Sequence, residues 1–185
     1  MDNGADQYHR FLTGDKNGMT EIIRDYKDGL VFYLNGIVDD PFAAEDLAED
    51  TFVKLVVKKP HFSGKCSFKT WLYTIGRNLA LDHLRSASRT TPLSGDDYAG
   101  MATERESIEQ TYLREENRIT VHRALAKLKP EYRQVLILTY FEELTNAEAG
   151  KVMKKSKRQI ENLAYRAKQA LKQTLLQEGF SYEEL

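Results

Sequence analysis

The chain has 185 residues, of which 41% are hydrophobic and 30% are charged; this composition excludes a fibrous or wholly disordered protein. Its formal net charge is only −1, and its one cysteine, Cys66, excludes an intramolecular disulfide. The sequence shows no apolar h-region and no run of eighteen apolar residues, so we expect a cytoplasmic protein without a signal peptide or a membrane span. The four histidines are scattered, and their spacing predicts neither a metal site nor another cofactor.

The N-terminal half contains apolar side chains at spacings of three and four, which predict helices. A short helix over residues 5–12 precedes a longer one, whose apolar stripe runs from residue 19 to residue 37. Asp40 and Pro41 then fit the N-cap and the first position of a third helix. A fourth helix is predicted to begin at Phe68.

The third helix is predicted to have one acidic face. Between residues 37 and 52 the chain has six acidic side chains and no basic one. Ala44, Leu47 and Leu55 fall on the inward face at helical spacing. A face of carboxylates repels nucleic acid and attracts a basic protein surface. The outward positions are Glu45, Asp46, Glu49, Asp50 and Val53.

The fourth helix and the loop before it combine aromatic, amide and basic side chains. The apolar stripe of this helix begins at Phe68, and Thr70 and Tyr73 are predicted to lie on the opposite side. Such a set can stack on the bases and neutralise the phosphates of an opened strand. Ordinary core and rim aromatics are the alternative, and this segment alone does not decide between the two. The candidate DNA-binding residues here are Phe62, Lys65, Trp71, Arg77, Asn78 and Arg85.

A linker is predicted in the middle of the chain. Residues 86–111 contain the only cluster of proline and glycine in this part of the sequence and lack apolar periodicity. We therefore expect an all-α protein with two small helical domains joined by a flexible linker. The predicted boundaries are 1–88 for the N-terminal domain, 89–111 for the linker, 112–177 for the C-terminal domain and 178–185 for a tail.

Two capping boxes predict the last two helices. The box that begins at Thr145 opens a short helix ending near Met153, and the box that begins at Ser156 opens a longer one. Between residues 150 and 172 there are eight basic side chains and one acidic one, Glu161. This is typical of a helix-turn-helix whose second helix enters a major groove, although a helical hairpin with a solvated lysine face is the alternative. The candidate DNA-binding residues are Ser156, Lys157, Arg158, Gln159, Glu161, Asn162 and Arg166.

Three motifs together resemble the two domains of an extracytoplasmic-function (ECF) sigma factor, a small class of bacterial sigma factors in the sigma-70 family. They are AEDLAEDTF at 44–52, WLYTIGRNLALDHLR at 71–85, and LTNAEAGKVM followed by SKRQIENLAYRAKQAL within 144–171. The resemblance implies a protein that binds core RNA polymerase, directs it to promoter DNA and is not an enzyme by itself. It admits an anti-sigma factor as a further partner.

The resemblance also implies roles for individual positions. Phe62 and Asn78 match positions that capture a flipped base of the minus-ten element. The helix-turn-helix matches the module that reads the minus-thirty-five element. The acidic helix matches the face that docks on the clamp helices of the polymerase. The polymerase-binding residues on that face are Asp46, Glu49, Asp50 and Val53.

Two interpretations from other classes remain open at this point. A free-standing helix-turn-helix regulator would explain the C-terminal domain, but it would leave the acidic helix and the aromatic loop without a role. A protein that only sequesters polymerase would explain the acidic helix but not the basic C-terminal helix. Binding to core polymerase followed by run-off transcription would separate these interpretations.

Overall fold

The computed structural model describes residues 3–90, 120–177 and 179, and of residues 89 and 90 only the backbone. Every regular element in this part of the chain is a helix, which confirms the all-α prediction. The predicted linker lies outside the described residues, except that its first two residues form the end of a helix.

Four helices form the N-terminal domain, and they begin and end close to where the sequence predicts. Asp40 is the predicted N-cap of the third helix: its carboxylate accepts hydrogen bonds from the backbone N–H groups of Phe42 and Ala43. Asp39, just before it, ends the second helix in the left-handed region, with φ of 57°. The four helices are α1 (Asn3–Leu12), α2 (Lys16–Val38), α3 (Pro41–Lys58) and α4 (Phe68–Thr90).

The core of this domain lies where α2, α3 and α4 meet, and a glycine makes the close approach possible. A Cβ atom added at Gly76 of α4 would lie 3.0 Å from Leu30 Cδ1 of α2 and 3.3 Å from Thr51 Oγ1 of α3. Leu30 and Thr51 are both fully buried. Burial of the apolar side chains around this point is the main contribution that holds the three helices together.

Four helices are described in the C-terminal domain. The first, α5, is helical over 120–126, and its start lies outside the described residues. Helix α6 (Pro130–Leu136) continues as one π-helical turn, Ile137–Phe141. In that turn the N–H of Glu142 donates to the carbonyl of Ile137, five residues back, over 2.9 Å. The helical segment from 130 to 141 is therefore α-helical only in its first part.

Helices α7 (Asn146–Met153) and α8 (Lys157–Gln177) form the helix-turn-helix. Both predicted capping boxes are confirmed by their reciprocal hydrogen bonds. Lys154 occupies the turn in the left-handed region, with φ of 54°, and its N–H donates to the carbonyl of Gly150. A Cβ atom at Gly150 would lie only 2.6 Å from the carbonyl oxygen of Lys155, so the tight turn requires glycine there.

The two domains contact each other directly. Phe32 of α2 packs against His122 of α5 and Phe141, with ring centroids 4.7 and 5.2 Å away. The buried guanidinium of Arg133 on α6 forms an ion pair with Asp39. Helix α7 lies against α4.

The contact with the second domain explains one wrong prediction. Thr70 and Tyr73 were expected on the solvent side of α4, but both are fully buried. Helix α4 packs against α2 and α3 of its own domain and against α7 of the other, so a single apolar stripe underestimates its buried surface.

Candidate polymerase and DNA interfaces

The acidic face of α3 is exposed, as predicted, and it includes apolar side chains. Asp46 and Glu49 are exposed, and Val53 lies on the same side with 54% of its surface accessible. Phe42, four residues before Asp46, is 77% exposed. Phe42 was not among the predicted residues of this face, although Asp46 and Glu49 follow it by four and seven residues, a spacing that places all three on one side of a helix.

One basic side chain borders the acidic face. The Nζ atom of Lys27 on α2 lies 3.3 Å from Glu45 Oε1 and 3.6 Å from Glu49 Oε1. Its hydrogen bond to Glu45, together with attraction from both carboxylates, raises the pKa of Lys27. These exposed pairs are weak, so they leave the face predominantly negative.

An aromatic cluster lies under the loop that connects α3 to α4. The half-buried ring of Phe62 is 5.2 Å from the ring of Trp71 and 5.8 Å from that of Phe68. Trp71 also contacts Tyr8 of α1, at 5.4 Å. Of these two candidate residues, Trp71 thus packs against other rings of the cluster as well as Phe62, and Phe62 lies at the edge of the cluster.

The remaining candidates on α4 differ in exposure. Arg85 is exposed and forms an ion pair of 2.7 Å with Asp82, one turn away. Asn78 and Arg77 are half-buried. The Nε atom of Arg77 is buried without a hydrogen-bond partner among the described residues. Burial raises the pKa of Tyr33, and the neighbouring Arg77 guanidinium opposes that rise, which places Arg77 partly against the core.

The first helix of the helix-turn-helix binds the loop before α4. Ser67 donates a hydrogen bond of 2.8 Å to Glu148 Oε1. Lys151 donates a hydrogen bond of 2.9 Å to the backbone carbonyl of Lys65. Burial alone would raise the pKa of Glu148, but the hydrogen bonds that it accepts from Ser67 and Thr145 together lower it. The helix-turn-helix therefore contacts the candidate strand-capture loop through α7 and not through the candidate side chains of α8.

A buried carboxylate lies at the contact between the domains. Glu142 is 9% exposed, and its Oε2 atom lies 2.7 Å from Lys69 Nζ, which also donates to the Glu142 carbonyl over 2.9 Å. A Cβ atom at Gly29 of α2 would lie 2.5 Å from Glu142 Oε1 and 2.6 Å from the Tyr73 hydroxyl. Burial and the adjacent Glu142 carboxylate raise the pKa of Tyr73. The carboxylate thus occupies a space between α2 and α4 that only glycine leaves open.

The pair of Glu142 and Lys69 was not predicted from the sequence. Glu142 and Lys69 are 73 residues apart and belong to no periodic pattern. The sequence feature that pointed to this contact was Gly29, because a glycine inside a long helix lowers the stability of the helix and often marks a point where another part of the chain approaches closely.

The outward face of α8 is open to solvent, as predicted. Glu161 forms a 3.8 Å ion pair with Lys157, one turn before it. The Gln159 side chain accepts a hydrogen bond of 2.8 Å from the backbone N–H of Ser156 and is thereby held at the helix start. Arg158, Asn162 and Arg166 are exposed on the same face.

Comparisons with known families agree with this two-part arrangement. Residues 22–90 match sigma-70 region 2, and residues 118–171 match sigma-70 region 4. The chain is 28% identical over 174 residues to the RNA polymerase sigma-H factor of Pseudomonas aeruginosa, covering 90% of each chain. It is 25% identical over 170 residues to the ECF RNA polymerase sigma factor SigW of Bacillus subtilis, covering 88% of this chain and 91% of that one.

The chain belongs to the ECF group of the sigma-70 family. As a sigma factor it binds core RNA polymerase and directs initiation at particular promoters. A free-standing regulator is not favoured, because the region 2 match gives the N-terminal helices a role in the polymerase complex. The family itself is not enzymatic, and none of the described helices is long and apolar enough to cross a membrane.

Solved structures share the fold of this sigma factor. The sigma factor RpoE, solved in complex with the anti-sigma factor NepR from Bartonella quintana, aligns with a TM-score of 0.68 at 21% identity, covering 84% of this chain and 95% of that one. CnrH, solved in complex with the cytosolic domain of CnrY, aligns with a TM-score of 0.66 at 21% identity, covering 97% of this chain and all of that one. At this identity the likeness concerns the fold alone.

Proposed function

We propose that three separate surfaces of this sigma factor carry out its work. The first is the acidic face of α3, which docks on a basic surface of core polymerase. Asp46, Glu49 and Asp50 provide the negative charge that speeds encounter and sets orientation. Val53 and Phe42 provide exposed apolar area that a partner would bury.

The second surface captures one strand of the opened minus-ten element. Phe62 stands at the edge of the aromatic cluster, where an extruded base can stack on its ring. Asn78 offers an amide that can bond the edge of a base, and Lys65 and Arg85 are exposed cations suited to the backbone phosphates. Arg77 contributes charge from a half-buried position.

The third surface reads the minus-thirty-five element as duplex. The first two turns of α8 are the part that reaches base edges when such a helix lies in a major groove. Arg158, Asn162 and Arg166 are exposed there, and Lys157 and Glu161 form a pair beside them. Ser156 and Gln159 fix the start of the helix through their capping box.

The separation of opposite charges on exposed helices carries this proposal. The carboxylates of α3 face solvent on one domain, and the basic side chains of α8 face solvent on the other. One chain thus presents complementary chemistry to a protein and to DNA. We also propose that the protein is cytoplasmic and that the chain alone catalyses no reaction. A further proposed partner is an anti-sigma factor that regulates it, in the way that RpoE forms a complex with the anti-sigma factor NepR.

Binding and transcription with purified core polymerase test the docking surface. We expect Asp46→Lys and Glu49→Lys to abolish co-purification with core polymerase and run-off transcription from genomic DNA of the organism that encodes the protein. Charge reversals at exposed positions change the free energy of unfolding by about 0.5 kcal/mol or less, so both variants should remain folded.

A matched control is Asp6→Lys, which reverses one exposed charge on α1 and should bind polymerase like the parent. If both α3 variants bind core polymerase as tightly as the parent and the control, the docking surface lies elsewhere.

A further inference from the structure

Helix α1 packs against the same two rings that support Phe62. Tyr8 of α1 is 1% exposed, and its ring lies 5.4 Å from Trp71 and 5.7 Å from Phe68. The Phe62 ring lies 5.2 Å from Trp71 and 5.8 Å from Phe68. Helix α1 precedes the part of the chain that matches sigma-70 region 2, which begins at residue 22.

The hydroxyl of Tyr8 also fixes the backbone of the loop. It donates a hydrogen bond of 2.9 Å to the carbonyl of Pro60, two residues before Phe62. A tyrosine hydroxyl carries its proton at neutral pH, and burial raises the pKa of Tyr8 further in that direction. The bond spans 52 residues of sequence and joins the start of the loop to a different helix.

The helix that holds Tyr8 is itself firmly placed. Gln7 donates a hydrogen bond of 2.8 Å to Asp25 of α2. A Cβ atom at Gly18 would lie 2.3 Å from the Gln7 carbonyl, and one at Gly4 would lie 2.4 Å from the Phe68 ring. The Gly18 backbone thus lies against the backbone of Gln7, and the Gly4 backbone lies against the Phe68 ring, at distances that only glycine permits. Helix α1 therefore cannot slide along α2 or α4 without losing its packing.

We propose that Tyr8 is a positioning residue for base capture: its ring and its bond to Pro60 hold Phe62 where an extruded minus-ten base can stack. This inference rests on the proposed role of Phe62. Preorganisation is the physical reason for the effect, because a loop already held in its binding geometry loses less freedom when the base arrives. The far end of the loop is fixed separately, since Ser67 bonds Thr70 over 2.8 Å.

The test uses holoenzyme assembled with Tyr8→Phe, which keeps the ring and removes the hydroxyl. The probe is a single-stranded oligonucleotide with the non-template minus-ten sequence of a promoter that the parent holoenzyme transcribes. We expect its affinity to fall by about 2-fold to 10-fold, the range for one neutral hydrogen bond. Polymerase binding and closed-complex formation should match the parent.

A double-mutant cycle with Phe62→Ala distinguishes positioning from general stabilisation. If Tyr8 acts through Phe62, the double variant should bind the oligonucleotide no more weakly than Phe62→Ala alone. Arg10→Gln is the control, because it removes an exposed ion pair between α1 and α2 and leaves the bond to Pro60 in place. It should behave as the parent does.

Three outcomes would overturn the inference, and they differ in what else they affect. If Tyr8→Phe binds the oligonucleotide as tightly as the parent, Tyr8 has no positioning role and the role of Phe62 stands. The same conclusion follows if the losses of affinity in the two single variants add up in the double variant. Parental affinity in Phe62→Ala would instead remove the proposed capture role of Phe62, and the role of Tyr8 with it.

Discussion

The two regions proposed to meet DNA differ in how far the other domain covers them. The outer face of α8 is exposed, and the ion pair and the hydrogen bonds described for its candidate side chains lie within the helix and its cap. The loop before α4 is bound by α7 through Ser67 and Lys65, and Lys69 is paired with the buried Glu142. We call the arrangement in which the two domains touch the closed arrangement. We expect duplex reading to be compatible with it, and we expect the contacts with α7 and Glu142 to restrain strand capture.

The largest effect is expected from reversing the buried charge between the domains. Glu142→Lys would place two ammonium groups together beside Tyr73, and breaking this pair should destabilise the closed arrangement by about 2 to 3 kcal/mol, at the low end for buried pairs because Lys69 is partly exposed. Small-angle X-ray scattering of the free protein should show a larger radius of gyration. Duplex binding should fall little, because α8 is unaffected.

Glu143→Lys is the matched control for that prediction. Glu143 is the exposed neighbour of Glu142, so the same change in net charge should leave the scattering profile as in the parent. Equal profiles for all three proteins would mean that the pair with Lys69 does not hold the domains together.

The second effect concerns the strand-capture region alone. Phe62→Ala and Asn78→Ala should weaken promoter opening by about 1 to 3 kcal/mol, because stacking and bonding to a base exist only once the strand is open. Permanganate footprinting would report the melted thymines, and a gel-shift assay the closed complex. Unchanged thymine reactivity in both variants would contradict the assignment of this region.

A smaller effect is expected on the duplex-reading side. Glu161→Ala should relax the preference at one base pair by about 1 to 2 kcal/mol if the carboxylate accepts from a base. Lys157→Ala should weaken binding to all DNA sequences alike. It should also reduce the slope of log affinity against log salt concentration by about one unit. Binding-site selection with both variants measures this. An unchanged sequence preference in Glu161→Ala would limit Glu161 to its ion pair with Lys157.

The smallest expected effect is a dependence of the closed arrangement on pH, which arises from the hydrogen bond between Ser67 and Glu148. The pKa of Glu148 in the folded protein lies below its usual value of 4.5. The ionised carboxylate therefore contributes its full stabilisation of the folded protein above pH 4.5, and this stabilisation is lost as the pH falls below that value. We expect the closed arrangement to loosen on acidification below about pH 4.5, and less so in Ser67→Ala. Scattering profiles between pH 6 and 3.5 would test this. The same pH response in both proteins would exclude this bond as a cause.

The faces that depend on local periodicity could be predicted from the sequence. The inward and outward sides of α3 and α8, the cap at Asp40 and both capping boxes follow from spacings of three and four residues. Thr70 and Tyr73 could not be placed correctly, because a second domain covers them. The burial of Glu142 against Gly29 and the bond from Tyr8 to Pro60 join distant segments, and no local pattern carries that information.

The π-helical turn at Ile137–Phe141 makes the length of this segment as important as its composition. A π turn holds one residue more than an α-helical turn, and deleting that residue lets the helix continue in regular α form. Because the π turn absorbs that residue, such a deletion would leave the later residues facing as they do now. A deletion in the α-helical part before it, with the π turn kept, would instead rotate each later residue by about 100° around the axis, and Glu142 would then point away from Gly29 and Lys69. The π turn is therefore a place where the chain can lose a residue and keep Glu142 directed at its partners in the other domain.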